Sequence, residues 1–409
     1  MSYVSEKIGN RRVLDADGHL MEDFFWFYPY VDPGVRERLP SPEMLMASAA
    51  EGMDFLNEVG HQVDPWLSAE DRAEDAANHL METKHFDALG AFDPAGRSRA
   101  LDLLGVERQI IFPTVSFSLF DPKASGRPPG LPDDREILYG GARGLNRAMA
   151  EFCASDSRMI GTGYVPLEDP AMAVAALDEA LKLGCGAIYI SHAVPDERSW
   201  SHPDYDPVWA RISEAGVPIV LHVGTGDKTL ELPPAVYNNG RDTFWALGPN
   251  TYQTPDFLSV HWPAELMLMQ LVMDGVFERF PGLRVGVVEL RAAWVPSLLE
   301  RLDWYQNFAY SNPSYRDDYK LPLRASDYIR RQVKFTPWAE GGEPLASMID
   351  GVEGGERLFL FSTDYPHSEG GEDPIGVFEA ELDKLSHRAD IEAVRDRFYH
   401  GNFEELFGA

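Results

Sequence analysis

Asp17 and His19 are the first residues of this chain whose types and spacing could support chemistry. They lie near the end of the segment VLDADGHLME, residues 13–22, which otherwise has the character of an apolar strand. Alternate residues of a strand share one face, so both side chains can address the same point, and Asp15 shares that face but lies deeper. Because an isolated buried charge is very costly, two convergent ligands at a strand end indicate a bound divalent cation.

Three more ionisable residues follow apolar strands, each near the point where its strand should stop. His222 lies in IVLHVG, Glu289 in VGVVELR and Asp364 in LFLFSTDYPH. Imidazole and carboxylate ligands suit zinc, iron or manganese; we favour zinc, with iron or manganese as alternatives. A lone D-x-H pattern occurs often by chance, but several such residues at separate strand ends predict one metal site.

The elements that must position these residues are short strands that alternate with helices. Apolar runs such as RQIIFPTV and VPIVLHVG are separated by helical stretches such as PAMAVAALDEALKLG, which has Pro at its start and Gly at its end. Eight such strands predict an α/β fold, a closed (β/α)8 TIM-type barrel in a single domain over residues 1–409. An open doubly wound sheet is the structural alternative, but no strand is followed by the G-x-G-x-x-G turn of its nucleotide-binding version.

Two segments do not fit this alternation. Residues 24–92 are rich in proline, methionine, acidic and aromatic residues and predict a cap inserted after strand 1, and residues 225–257 predict a long loop after strand 5. Both should lie at the barrel mouth, where active sites of this fold are found. We expect the cap to supply apolar contacts to a fairly bulky organic substrate; a contact surface between subunits is the alternative.

The composition narrows the class of partner. A formal net charge of -30 argues against nucleic acid or an anionic membrane, but a bound cation would still allow an anionic substrate. Two cysteines, and no apolar segment after the charges of MSYVSEKIGNRR, favour the cytoplasm. No apolar run reaches the roughly 18 residues that cross a bilayer. We therefore expect a small-molecule substrate and a homo-oligomer, a dimer.

Several motifs, taken in order, carry a resemblance to a known family: VLDADGHLME, GVERQIIFPT, GTGYVPLEDP, DPVWARISEAGVPIVLHVG, GVFERFPGLRVGVVELRAAWVPSLLERLD, STDYPH and GNFEELFG. They resemble the amidohydrolase superfamily, within it the amidohydrolase-related branch that includes aminocarboxymuconate-semialdehyde decarboxylase and γ-resorcylate decarboxylase. The resemblance covers nearly the whole chain outside the two insertions. It implies one metal ion, held by Asp17, His19, His222 and Asp364. No lysine that could bridge two metals ends strand 4, where GAIYISH ends in His192.

The main departure from this branch is at strand 6. The decarboxylases carry a histidine there, whereas this chain has Glu289, followed two positions later by Arg291. That carboxylate could be a fifth metal ligand, a general base or the partner of Arg291. We predict a metal-dependent hydrolase in which Asp364 or Glu289 takes a proton from a metal-activated water and an amide, ester or thioester of an organic acid is cleaved.

Two other functions stay open at this point. In a non-oxidative decarboxylase of an aromatic or enoic acid, the metal would chelate the substrate carboxylate and a neighbouring oxygen while an acid protonates the ring carbon. In a non-catalytic, metal-stabilised binding protein, no reaction would occur, and metal analysis with chelation would separate the cases.

Further side chains are predicted to act beside the metal. His192, at the end of strand 4, is predicted to face the mouth as a catalytic residue, with a structural hydrogen bond as the alternative. His367 could orient a ligand, and Arg291 could bind an anionic group of the substrate. The other candidates for the substrate pocket are His261, Phe24, Phe25, Trp26 and Trp338.

Overall fold

Seven parallel strands form one curled sheet whose order follows the chain. The computed structural model describes residues 1–23, 25–39, 60–124, 127, 133–195, 197–226, 233–236, 238 and 258–408. The strands are β1 (Leu14–Leu20), β2 (Arg108–Pro113), β3 (Met159–Tyr164), β4 (Ala187–Tyr189), β5 (Ile219–His222), β6 (Val285–Val288) and β7 (Val333–Phe335). Apart from Arg108, every strand residue is buried, as a parallel sheet covered by helices requires. The predicted α/β barrel is confirmed.

The eighth position of the barrel is taken by an extended segment, residues 358–365. On one side the Leu360 N–H donates to the Phe335 oxygen of β7 (2.8 Å), and on the other the Ala16 N–H of β1 donates to the Phe361 oxygen (3.0 Å). The segment therefore closes the sheet between its first and last strands. The prediction of a regular eighth strand needs correction, because this segment is joined by isolated bridges rather than by a continuous ladder.

Two irregularities explain why the closing ladder is interrupted. β1 shifts its register between Asp15 and Gly18, and Asp364 has a left-handed backbone with φ of 52°. Regular pairing needs an extended backbone on both sides, so these positions break it. Both lie where side chains turn towards the barrel mouth.

Helices surround the sheet and follow the strands in sequence. The α-helices are α1 (Tyr3–Ile8), α2 (Pro33–Arg36), α3 (Ala69–Asn78), α4 (Pro94–Leu104), α5 (Arg135–Cys153), α6 (Pro170–Leu183), α7 (Asp206–Ala215), α8 (Trp262–Met273), α9 (Val276–Arg279), α10 (Val295–Ser311), α11 (Ala325–Gln332), α12 (Leu345–Asp350), α13 (Pro374–Leu382), α14 (Ile391–Asp396) and α15 (Asn402–Leu406). Short 3-10 helices lie at Tyr28–Tyr30, His85–Asp87, Ser116–Leu119, Pro203–Tyr205, Pro234–Val236, Asp317–Tyr319, Gly355–Arg357, Ser368–Gly370 and Asp383–Leu385, and a π turn lies at Arg397–Gly401.

The ends of the helices follow from local sequence. α4 begins after Asp93, whose carboxylate accepts the Gly96 N–H, and ends at Gly105 in a left-handed conformation. α6 repeats the arrangement with Asp169 before it and Gly184 after it. Side-chain caps at the start and glycine at the end satisfy backbone groups that a helix leaves unpaired.

The two predicted insertions are only partly described. The described residues within 24–92 contain two α-helices, α2 and α3, the 3-10 helices Tyr28–Tyr30 and His85–Asp87, and an antiparallel bridge between Gly60 and Thr83. Phe24, residues 40–59 and most of the loop predicted at 225–257 lie outside the described residues, so coverage of the mouth stays a prediction. In the described part of the chain, no helix is both long and apolar enough to cross a bilayer.

Candidate active site

The strand-end residues converge at the mouth of the barrel. One ligand atom from each of Asp17, His19, His222 and Glu289 lies within 4.8 Å of the other three. A second, overlapping group consists of His19, Glu289, Asp364 and His367. Sequence reasoning placed the first four and Asp364 around one point, and the structure brings them together.

His19 and His222 are at the centre of this cluster. Their Nε2 atoms are 3.1 Å apart, and each is close to Oδ1 of Asp17, at 3.2 Å and 3.3 Å. Oε2 of Glu289 is 3.2 Å from Nε2 of His222, and Oδ1 of Asp364 is 3.5 Å from Nε2 of His19. Glu289 therefore faces the imidazoles.

An unusual backbone conformation directs the carboxylates of Glu289 and Asp364 towards the cluster. Glu289 and Asp364 both have left-handed backbones, with φ of 53° and 52°. Such a conformation costs a non-glycine residue about 1–3 kcal/mol and tends to occur at functional sites. The Glu289 N–H donates to Thr336 Oγ1 (2.9 Å), and the Asp364 N–H donates to the backbone oxygen of Asp17 (3.1 Å). These two hydrogen bonds hold both turns in place.

Asp15 points away from this cluster, deeper in the barrel. Its carboxylate accepts hydrogen bonds from the Thr363 N–H (2.9 Å) and from Nε2 of Gln109 (2.8 Å). Burial raises its pKa to about 6, and these hydrogen bonds oppose the shift. Asp15 therefore joins β1 to the closing segment rather than contributing to the site.

The cluster concentrates negative charge where water is scarce. Burial, together with the neighbouring carboxylates of Asp364 and Asp17, raises the pKa of Glu289 well above its usual value. Burial raises the pKa of Asp364 to about 7, and the nearby His367 opposes the shift. Burial also acts on Asp17, but His222 and His19 outweigh it and lower the pKa of that carboxyl. The site thus holds more carboxylates than its own imidazoles compensate.

A divalent cation fits these residues. Neither carboxylate oxygen of Asp364 accepts a well-aligned hydrogen bond from the described residues, although both oxygens are buried and Oδ1 lies 3.1 Å from Nδ1 of His367. Buried charges in proteins are paired or bind metals, and the donors here are the oxygens and imidazole nitrogens that zinc, iron and manganese accept. The cluster of Asp17, His19, His222, Glu289 and Asp364 has the chemistry of a single metal site.

A cavity of about 200 Å³ opens onto the cluster. Its lining combines site residues with apolar and aromatic side chains: His19, Pro113, Thr114, Phe117, His222, Val223, Gly224, Val260, Glu289, Trp338, His367 and Glu369. An engineered cavity of about 150 Å³ in another protein holds benzene, so this volume suits a molecule with one aromatic ring.

Trp338 and His367, both predicted from the sequence, line this cavity, and Arg291 lies beside one of them. The Arg291 guanidinium lies over the Trp338 ring at 5.8 Å, and its Nε is 3.6 Å from Glu343 Oε1. Of the three roles left open for Glu289, pairing with Arg291 is therefore wrong, because Arg291 turns to Glu343.

The other predicted residues lie outside the cavity lining found among the described residues. His192 is fully buried, and neither ring nitrogen has a hydrogen-bond partner within the described part of the chain. His261 stacks on Trp294, with ring centroids 5.2 Å apart. Trp26 donates its Nε1–H to Ser116 Oγ (2.8 Å), and the Phe25 ring packs edge-on against a neighbouring tyrosine.

Two buried glutamates that the sequence analysis missed hold the loops of the site. The Glu22 carboxylate accepts the consecutive backbone N–H groups of Thr114, Val115 and Ser116, at 2.9–3.0 Å. Glu343 accepts the N–H groups of Ala292, Ala293 and Trp338 in the same way, at 2.9–3.0 Å. An acidic residue within an apolar stretch, three positions after His19, was the available signal for Glu22.

Thr114 was also missed, although it directly follows β2. Its single hydroxyl hydrogen is donated to the Leu20 oxygen at 2.6 Å. The hydroxyl oxygen must therefore accept from its other neighbours, Nδ1 of His19 at 3.3 Å and Nε2 of His367 at 3.1 Å. A proton on Nδ1 of His19 leaves the Nε2 lone pair facing the cluster, as a metal ligand requires.

Replacing Thr114 with valine should weaken metal binding, because Nδ1 of His19 loses the acceptor that orients its ring. Loss of such a partner typically costs about 10- to 100-fold in metal affinity. Thr114→Ser keeps the hydroxyl and should bind metal like the wild type in a competition titration with a chelator. Equal affinities for the valine and serine variants would contradict this role.

Comparison with known proteins places these features in a family. The amidohydrolase model named Amidohydro_2 matches residues 67–409. Among curated proteins, the decarboxylase orsB of Emericella nidulans is 29% identical over 182 residues, covering 42% of this chain and 49% of that protein. The chain thus aligns with about half the length of this relative.

Solved structures share the fold over almost the whole chain. An amidohydrolase from Mycobacterium avium subsp. paratuberculosis K-10 is 20% identical, with a TM-score of 0.69 and 98% of both chains covered. A dihydroxybenzoic acid decarboxylase from Polaromonas sp. JS666, with bound manganese and the inhibitor 2-nitroresorcinol, is 20% identical, with a TM-score of 0.58 and 97% of both chains covered.

These comparisons overturn the predicted reaction. The reaction predicted from the sequence is hydrolysis of an amide, ester or thioester, with Glu289 or Asp364 as the base that takes a proton from water. That prediction is wrong, since both orsB and the Polaromonas protein are decarboxylases. The error came from taking the replacement of a histidine by Glu289 as evidence against decarboxylation.

Proposed function

The chain belongs to the amidohydrolase family, and on that premise we propose that it is a metal-dependent, non-oxidative decarboxylase of a single-ring aromatic acid. The observation that carries the proposal is the cavity of about 200 Å³, which joins an aromatic wall to the carboxylate and imidazole cluster. One end of this cavity suits an aromatic ring, and the other end suits a cation to which the carboxylate of the substrate could bind.

The wall of the cavity suits a flat ring. Phe117 and Trp338 offer aromatic faces, and Val223 adds an apolar contact. Gly224 has φ of +89°, and a Cβ at this position would come within 3.1 Å of the Phe117 ring. A larger residue there is therefore disfavoured both by the backbone and by loss of room for the ring.

A cation at the cluster would bind the substrate carboxylate and an adjacent ring oxygen and would offset the charge of the surrounding acids. We propose Asp17, His19, His222, Asp364 and Glu289 as the residues that hold it. Zinc was favoured from the sequence; the three carboxylates argue more strongly for manganese, because carboxylate-rich sites suit that ion. Metal analysis of the purified protein decides between them.

The reaction needs a proton at the ring carbon that loses carbon dioxide. The bond from that carbon to the carboxylate breaks, its electron pair stays on the ring, and a proton takes the vacated position. We assign this proton to the pair formed by His367, which lines the cavity, and Asp364. Nδ1 of His367 is 3.1 Å from Oδ1 of Asp364, and its Nε2 contacts Thr114 Oγ1 at 3.1 Å. Both ring nitrogens therefore have partners that favour the protonated imidazole.

The test is a panel of hydroxylated benzoic acids incubated with the metal-loaded protein in D₂O. We expect carbon dioxide release and one deuterium at the vacated ring carbon, observed by NMR. The esters and amides of the same acids serve as the matched control and should stay intact. Hydrolysis of these controls without carbon dioxide release would sink the proposal. Tight binding of an acid with no turnover would favour the non-catalytic alternative instead.

We also propose a homodimer. Support comes from α10, where Trp304 and Phe308 are 64% and 61% exposed and stack with ring centroids 5.5 Å apart. Exposed aromatic patches of this kind often mark contacts between proteins. Light scattering should give the mass of two chains for the wild type and the mass of one chain for Trp304→Lys.

A further inference from the structure

A second group of metal-binding side chains lies in the segment between β1 and α4. One ligand atom from each of His61, Asp75 and His79 lies within 4.8 Å of the other two. Nε2 of His61 is 2.9 Å from Oδ2 of Asp75, and Nδ1 of His79 is 3.4 Å from Oδ1 and 3.1 Å from the backbone oxygen of the same residue. Each carboxylate oxygen thus faces one imidazole, and all three side chains are half-buried.

The two imidazoles of this group lie face to face. Their rings stack, with centroids 3.8 Å apart and planes 18° from parallel. A neutral imidazole keeps one lone pair, which can bind a metal ion. With the anionic oxygen of Asp75, the set matches the three protein ligands of zinc sites that leave the remaining position to water.

Local structure holds these ligands together. Asp75 and His79 are four residues apart at the end of α3, so their side chains lie on one face. His61 comes from a different stretch, which the Gly60–Thr83 bridge and a hydrogen bond from the His61 N–H to the Glu82 oxygen (2.9 Å) fasten beside the helix.

The same stretch leads directly to the active site. The Thr83 N–H donates to the His79 oxygen (2.8 Å), and the His85 N–H donates to the Pro366 oxygen (2.9 Å). The His85 ring centroid is 5.9 Å from that of His367. The segment from His79 to His85 therefore connects the half-buried cluster to the wall of the cavity.

We propose that His61, Asp75 and His79 bind a second divalent cation of the zinc class, which fixes residues 79–85 against the active site. This ion is separate from the one at the barrel mouth and shares no ligand with it. The proposal does not depend on which reaction the protein catalyses.

Zinc stoichiometry tests the site. The full chain is freed of metal, dialysed against Zn²⁺, separated from excess ion and analysed for zinc per chain. We expect two equivalents in the wild type and one in His61→Ala. His222→Ala should also lose one equivalent, from the barrel mouth. His387→Ala is the matched control, an exposed histidine whose Nε2 is 3.4 Å from Asp350 Oδ2, and it should retain two.

Hydrogen exchange tests the link to the active site. Zinc at about 100 times its Kd should slow exchange of residues 79–85 by up to about 100-fold in the wild type, since opening would release the ion. The same addition to His61→Ala should leave this segment unchanged. Equal zinc content in the wild type and His61→Ala, or equal exchange of residues 79–85 in the wild type with and without zinc, would each overturn the proposal. No outcome uses a reaction rate, so failure here is distinct from failure of the decarboxylase.

Discussion

His222→Ala should remove both the active-site metal and the decarboxylation. Nε2 of His222 is within 3.3 Å of ligand atoms from three other members of the cluster, so its loss takes the imidazole from the centre. Metal ions typically stabilise a developing charge by several kcal/mol, which corresponds to a rate loss of roughly 10³-fold or more. Elemental analysis and a carbon dioxide assay on the same sample measure both effects.

The control for this variant is His261→Asn. His261 stacks on Trp294 and is not among the residues that line the cavity, so this variant should keep its active-site metal and most of its rate. A His222→Ala protein that retains the metal at the barrel mouth and turns over normally would show that the cluster is not the catalytic centre.

His367→Gln should slow decarboxylation and leave metal content unchanged. Loss of a positioned acid typically lowers the rate by about 10²- to 10⁴-fold, because the ring carbon must then take its proton from water. Glutamine can still contact Thr114 but cannot carry the proton. The comparison uses initial rates together with the Kd of a non-reactive ring acid, which should change little.

His85→Gln is the matched control for His367. Its ring is near His367, but His85 does not line the cavity, so we expect a rate within tenfold of the wild type. If His367→Gln loses the metal, His367 is a ligand and the proton must come from another group. If both variants slow equally, the effect comes from packing around His367.

The convergence of these side chains could be predicted because strand ends follow simple geometry. A period of two puts Asp17 and His19 on one face, and parallel strands bring their C-terminal ends to one mouth. His222 and Asp364 followed from the same rule. No long-range knowledge was needed beyond the number of strands.

The supporting residues could not be predicted in this way. Glu22 and Glu343 act on backbone N–H groups of distant loops, and which amides turn inward depends on loop conformation. Arg291 was given Glu289 as its possible partner because the two are close in sequence, yet the left-handed backbone at both positions separates their side chains and leaves Arg291 near Glu343. The reaction was mispredicted because the same metal-binding side chains suit hydrolysis and decarboxylation, and the positions of strand ends do not distinguish the two.

The closing segment of the barrel has a consequence for biosynthesis. Asp15 accepts a hydrogen bond from the Thr363 N–H across 348 positions of the chain, and the neighbouring Asp17 and Asp364 belong to two overlapping groups of candidate metal ligands that share His19 and Glu289. A ribosome that releases the chain from its beginning exposes Asp17 and His19 long before Asp364 emerges. Until residues 358–365 have been synthesised, the facing edges of β1 and β7 in the nascent barrel stay unpaired. A metal ion that needs ligands from both ends of the chain would bind only after that step, and it would give a truncated chain little protection from proteolysis.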